Sequence, residues 1–139
     1  MKEQRVKEII HDWLKSQYPE KAVWRQSSGA DISIFAVAHP HNRWEAYHTI
    51  AVECKGTAAS NAKLDRAVGQ SLRYYMQCNK PPAFLAVPHD YEKIKELRRI
   101  MGFYDLPIGL LIVHDDGKVE KVRDTKGQPS ICLLYTSPS

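Results

Sequence analysis

Ile50-Ala51-Val52-Glu53-Cys54-Lys55-Gly56 is an apolar stretch that closes on a carboxylate and an amine two residues apart. In a strand, side chains at i and i+2 share a face. Glu53 and Lys55 are therefore expected side by side, with Val52 and Cys54 turned the other way toward a core. A charged pair at the end of a hydrophobic strand is a place where a sheet can hold a metal ion and an activated water. An exposed salt bridge is the plainer alternative, but such a pair contributes under about 1 kcal/mol to stability.

Working outward from this strand, Tyr47 to Lys55 reads as the third strand of a meander. The run Asp31-Ile32-Ser33-Ile34-Phe35-Ala36-Val37 is β-branched and aromatic, as strands are, and Ala22 to Gln26 is a short strand before it. Ser27-Ser28-Gly29 and His39-Pro40-His41-Asn42-Arg43 supply the turns. Ahead of the meander, Val6, Ile9, Ile10, Trp13 and Leu14 recur at helical spacing, which predicts a helix from Lys2 to about Gln17, stopped by Pro19.

After the meander, Ala58-Ala59-Ser60-Asn61 offers capping chemistry for a helix reaching about Cys78. Its expected buried stripe is Leu64, Val68, Leu72 and Tyr75. Ala83 to Val87 is wholly apolar, as a strand covered on both faces should be. Asp90 is expected to cap a helix that carries Ile94, Leu97, Ile100 and Met101 and ends at Gly102. Ile108 to Val113 and Lys118 to Val122 then pair through an Asp115-Asp116-Gly117 hairpin. The order helix, three strands, helix, strand, helix, strand, strand implies an α/β fold with a mixed sheet.

The chain has 139 residues and a formal charge of +4, which fits one domain with a single sizeable core and permits nucleic acid as a partner. No apolar run is long enough to span a membrane, and the polar start Met1-Lys2-Glu3-Gln4-Arg5 lacks a signal segment. Its cysteines have neither metal-type nor disulfide-framework spacing, so the expectation is a reducing, cytoplasmic setting. Cys54 and Cys78 read as core thiols. Residues 1–124 are expected to form the domain and 125–131 a loop. Residues 132–139, Cys132-Leu133-Leu134-Tyr135-Thr136-Ser137-Pro138-Ser139, resemble translated read-through of a transposase sequencing adapter and are set aside from fold reasoning.

Helix, β-meander, helix, strand resembles the core of the PD-(D/E)XK, or restriction-endonuclease-like, nuclease superfamily. Gly29-Ala30-Asp31 and Glu53-Cys54-Lys55 match its acidic and Glu-x-Lys positions, with Ala30 where the family name places proline. Gln70-Ser71-Leu72-Arg73-Tyr74 is similar to the Gln-x-x-x-Tyr motif of type I restriction and helicase-linked nucleases. The approach Arg25 to Asp31 looks like that of archaeal Holliday-junction resolvases. The resemblance covers about Lys2 to Val87. It implies an α-β-β-β-α-β core with a mixed central sheet flanked by helices, to which this chain adds a helix and C-terminal strands.

The resemblance also implies a Mg²⁺-dependent deoxyribonuclease, with Mn²⁺ able to substitute. Asp31, Glu53 and the backbone carbonyl of Cys54 would be metal ligands, Lys55 would act on the attacking water, and Gln70 and Tyr74 would line the site. A first-helix glutamate often completes such a site. Glu3 lies in register with the inward stripe of Val6, Ile10 and Trp13, whereas Glu8 is turned away, so Glu3 is the choice. Phosphodiester hydrolysis needs charge neutralisation and a hydroxide-like nucleophile at neutral pH, and Mg²⁺ with oxygen ligands provides both. Lys63, Arg66 and Arg73 recur along one side of the Gln70 helix, where they are candidates for phosphate contacts or equally a solvated helix face.

Plainer readings stand beside these. Asp31 serves equally as a turn-to-strand cap, Gln70 and Tyr74 as a surface pair, and Glu3 as a helix-start carboxylate favoured by the dipole. His39 and His41 read as a solvated loop. DNA is the expected partner, alone, in a homodimer or within a larger nuclease assembly. A non-catalytic DNA-binding or assembly module that keeps the fold is the alternative function.

Overall fold

The computed structural model describes residues 1–19, 23–27, 30–38, 45–76 and 82–126, and of these it leaves undescribed the side chains of 23–27, 30–38, 45–49 and Tyr74. In chain order the elements are α1 (Glu3–Gln17), β1 (Val23–Ser27), β2 (Ala30–Ala38), β3 (Glu45–Cys54), α2 (Asn61–Tyr75), β4 (Ala83–Pro88), α3 (Ile94–Phe103), β5 (Gly109–Val113) and β6 (Val119–Arg123). They follow the order expected from the sequence.

The strands form one sheet in sequence order. β1, β2 and β3 pair antiparallel, β3 to β4 and β4 to β5 parallel, and β5 to β6 antiparallel. The switch to parallel pairing falls where the chain inserts a helix between strands, because a parallel neighbour requires a crossover. β4 and β5 are buried at every position, which accounts for their unbroken apolar runs.

Alternation along the strands sorts their side chains into two cores. On one face Ile50, Val52, Cys54, Phe84, Ala86, Leu111 and Val113 meet Val6, Ile9, Ile10 and Leu14 of α1. On the other, Ala51, Leu85, Val87, Leu110 and Ile112 meet Leu64, Ala67 and Tyr75 of α2 and Leu97 and Met101 of α3. The result is a mixed α/β sandwich, with α1 below the sheet and α2 and α3 above it. Leu14, Leu85, Leu110 and Leu111 are fully buried, each contributing about 1.5–3 kcal/mol. Among the described residues no helix is long and apolar enough to cross a membrane.

Several boundaries move. α2 ends at Tyr75, short of Cys78, which lies outside the described residues together with the 39–43 turn and residues 127–139. The helix opens as expected at Ser60, whose Oγ accepts the Lys63 N–H at 3.2 Å. Its inward stripe holds Leu64 and Tyr75 as expected, with Val68 and Leu72 partly buried against the same core, but its most enclosed positions are Ala67 and Ser71. Small residues let α2 lie close on the sheet, and the Ser71 hydroxyl is satisfied by donating to the Ala67 carbonyl at 2.9 Å.

α3 departs more. Asp90 is not its cap: the helix starts at Ile94 after Lys93, with no side-chain cap, and Asp90 is bonded elsewhere. Nor does Gly102 end it. The helix closes in a Schellman motif, with Leu106 N–H to Met101 O at 2.9 Å and Asp105 N–H to Gly102 O at 3.1 Å. Asp105 takes the left-handed position, at φ 51°, that glycine usually fills. Its carboxylate pairs with Lys126 and Arg123, which secure the turn, and the Lys126 hydrogen bond holds it below the usual carboxylate range. The β5–β6 hairpin is as expected, with Gly117 at φ 88°.

Two glycines respond oppositely to alanine. A Cβ at Gly109 would lie 2.5 Å from ring carbons of Phe84 and 2.8 Å from the Arg123 carbonyl. At Gly69, within α2, nothing lies within 4 Å. Gly109→Ala is expected to destabilise by about 1–3 kcal/mol, and Gly69→Ala to stabilise by about 0.5–1 kcal/mol. Urea midpoints of the two variants check both signs.

Candidate functional site at the end of the third strand

Glu53 and Lys55, expected side by side, part at the end of β3: Glu53 stays enclosed on the face of Ala51, and Lys55, past the strand's last residue, turns to α1. Val52 and Cys54 point into the α1 core, and Cys54 is a buried thiol, the core role expected of it. Glu53 shares the opposite face with Ala51 and is only 3 % exposed. A carboxylate so deeply buried is not half of an exposed surface ion pair. Burying a charge is costly unless it is compensated.

The neighbouring strand bears on the surroundings of Glu53. β2 and β3 pair Ile32 with Val52 and Ser33 with Ala51. Continuing that register by one residue sets Asp31, at the start of β2, opposite Glu53. The Asp31 side chain is outside the described set. Among the described residues no group of three or more His, Cys, Asp or Glu gathers as a metal site.

Lys55 leaves the sheet just past β3, its N–H donating to the Ala86 carbonyl at 3.0 Å. Its Nζ lies 3.6 Å from one oxygen of Glu3, while Lys7 Nζ lies 3.4 Å from the other. The Glu3 carboxylate thus bridges two lysines whose side chains are only 16 % and 13 % exposed. Glu8 instead pairs with Arg5 on the outer side of α1. The choice between the two glutamates follows from helix geometry: Glu3 shares the inward stripe and Glu8 does not.

Lys7 is the participant that sequence reasoning missed. Its signal was present as Glu3 and Lys7 at i, i+4, in the favourable order for a helix. Gln70 is half-buried on α2, and among the described residues its side chain is not hydrogen-bonded to Glu3, Glu53 or Lys55. Tyr75 is in the core as expected, whereas the Tyr74 side chain is outside the described set.

Gly56 lets α1 reach this point. A Cβ there would lie 2.6 Å from the Glu3 backbone nitrogen and 3.1 Å from the Met1 carbonyl. The contact is backbone against backbone, and the Thr57 N–H adds a hydrogen bond to the Met1 carbonyl at 2.9 Å. Thr57 Oγ1 also donates to Asp90 at 2.7 Å, while the Met1 amino group donates to Thr57 Oγ1 and to Asp90. This is the work Asp90 does in place of capping α3. The Thr57 hydrogen bond, chiefly, holds the Asp90 carboxyl below its ordinary value against a smaller desolvation effect, and the Met1 ammonium adds to the lowering.

Beside Lys55 an open cleft of about 470 Å³ is lined by Lys2, Glu3, Gly56, Ala58, Ala59 and Lys63 among others. Its size is within the usual ligand-site range of about 300–1,000 Å³. A buried carboxylate opposite an acidic strand position, a lysine held by a second carboxylate, and an adjoining cleft are the parts that polar bond hydrolysis or anion binding would use. No protein-family model, curated protein or solved structure matches the chain.

Two outcomes follow. Gly56→Ala is expected to cost about 1–3 kcal/mol, because backbone must move to admit the methyl group; thermal and urea unfolding measure it. Thr57→Val should raise the Asp90 carboxyl toward its ordinary value, read by carboxyl-carbon NMR titration. A depressed folded-state pKa contributes stability above the unfolded pKa and loses it as pH falls through the folded one. The valine variant should therefore lose less stability on acidification than the parent chain.

Proposed function

We propose that this chain is a Mg²⁺-dependent nuclease with a restriction-endonuclease-like core that hydrolyses phosphodiester bonds in DNA. The observation that carries this reading is the end of β3: Glu53 buried, in continued register with Asp31, and followed by a Lys55 held against Glu3. The Glu-x-Lys spacing alone is common, and its coincidence with an acidic position on the adjacent strand is what gives it weight. The element order, with a meander between two helices and a parallel strand after the second, supports the same reading.

The donor set suits the ion. Carboxylates of Asp31, Glu53 and Glu3 and the carbonyl of Cys54 are the hard oxygen ligands Mg²⁺ prefers. When bound, Mg²⁺ would neutralise charge building up on the phosphoryl oxygens and favour the hydroxide form of water near neutral pH. The remaining work falls to the chain. Lys55 donates hydrogen bonds to the attacking water, holds it in line with phosphorus and offsets the negative charge of the nucleophile. Glu3 keeps the Lys55 ammonium in place, and Lys7 offsets the charge of Glu3.

In the reaction, water adds its oxygen to phosphorus and the bond to one bridging sugar oxygen breaks. That oxygen takes up a proton and leaves as an alcohol, while the water loses one. Burial of Glu53 keeps competing solvent from its carboxylate. Gln70, on α2 above the sheet, is assigned to the rim of the site on the strength of its motif alone.

Purified protein with Mg²⁺ or Mn²⁺ should cut linear, circular, single-stranded or branched DNA, and chelation with EDTA should stop it. Lys55→Ala, Glu53→Gln and Asp31→Asn are each expected to lower the rate by about 10²–10⁴-fold, the scale of a positioned catalytic group. Cleavage that these substitutions leave unchanged would refute the assignment. Salt-dependent DNA binding without any cleavage would instead make the chain a non-catalytic DNA-binding module.

A further inference from the structure

Charges on α2 are sorted by side. Lys63, Arg66, Gln70 and Arg73 follow one another at i, i+3, i+7 and i+10, along one flank of the helix that borders its buried stripe of Leu64, Ala67, Ser71 and Tyr75. The acidic residue of the helix, Asp65, is on the flank turned toward α3, where it lines a second cleft with Lys93 and Glu96. Lys63 opens the stripe and also lines the cleft beside Lys55, together with Lys2. Lys2, Lys63, Arg66 and Arg73 are all exposed. Among the described residues none of the four has an ion-pair partner.

The cleft itself is cationic. Among the described residues its one carboxylate, Glu3, is already bridged to Lys7 and Lys55, and none of the wall residues offsets the charge of Lys2 and Lys63. Ala58 and Ala59 add an apolar wall against which a sugar can lie without competing for the phosphates.

We infer that a nucleic-acid strand leaves the cleft along α2, its successive phosphates met by Lys2, Lys63, Arg66 and Arg73. This rests on the nuclease reading, and it adds to it the direction in which the strand runs. From Lys63 to Arg73 the helix rises about 15 Å. For a duplex lying with its axis parallel to α2, at about 3.4 Å of axis per phosphate of one strand, that length spans about four phosphates. The contacts are to backbone, so the track positions the strand without selecting its sequence.

Each phosphate contact releases counterions, so the test is salt dependence, measured in EDTA where DNA stays uncut. Fluorescence anisotropy with a short single strand, and with the same sequence as duplex, gives log affinity against log salt. The variant Lys2→Gln, Lys63→Gln, Arg66→Gln, Arg73→Gln should bind more weakly, with a slope shallower by about 0.7–0.9 for each side chain removed. A control of equal charge change, Lys15→Gln, Lys95→Gln, Arg98→Gln, Lys118→Gln, should keep nearly the parent slope. Circular dichroism melting confirms that both fold.

Equal slopes in the two variants, or a parent slope in the first, would overturn the track. If the parent chain cleaves DNA in Mg²⁺ while those slopes coincide, the track alone fails and the nuclease reading stands. A parent chain that neither binds nor cleaves DNA would overturn both.

Discussion

The contact on which the site depends is a close approach of two backbones at Gly56. There the first turn of α1 meets the end of β3 at a distance that a single methyl group would forbid. The approach delivers Glu3 to Lys55, two residues far apart in the chain, and the Thr57 N–H and hydroxyl fix it through Met1 and Asp90. The same step joins the two faces of the sandwich. α1 belongs to the lower core, α2 to the upper, and the short connection from β3 to α2 passes between them with Gly56 at its start.

Charge placement follows from that geometry. Glu53 is carried into the upper face by the same alternation that sends Val52 and Cys54 into the lower one, so its burial is a consequence of strand register. Lys55 is released from the alternation because β3 has ended, and its side chain turns to the helix below. Two residues of one Glu-x-Lys motif therefore have different surroundings. The carboxylate is enclosed while the amine is anchored by α1, an arrangement that suits one group for holding a cation and the other for holding a water. Lys7 completes it by sharing the charge of Glu3.

Much of the fold was legible in the sequence because its signals were periodic and local. The inward stripe of α1, the unbroken apolar runs of β4 and β5, and the Asp115-Asp116-Gly117 turn each depend on neighbours within a few residues. Where the reading missed, a distant partner had overridden a local preference. Asp90 has the chemistry of a helix cap, yet Thr57 and the Met1 amino group engage it more closely than an α3 that starts later at Ile94. Gly102 is the residue a C-cap favours, yet the left-handed position fell to Asp105, which Lys126 and Arg123 hold there. On α2 the expected Leu64 and Tyr75 are buried and Val68 and Leu72 pack against the same core, but Ala67 and Ser71 lie deepest, since small residues permit close packing that hydrophobicity alone does not signal.

Composition and periodicity determined a mixed α/β domain, the order of its elements, and a carboxylate and amine at the end of its third strand. Those features survive because they need only the fixed two- and 3.6-residue repeats of strand and helix. Tertiary structure decided which groups meet: that Glu3, already singled out by its place on the helical stripe, reaches Lys55, that Glu53 is enclosed, that Lys7 joins them and that Asp90 serves Thr57. The physical reason is that contacts between distant segments depend on register, on crossing helices and on the space left by a missing Cβ. None of these is written in the local pattern of any one segment.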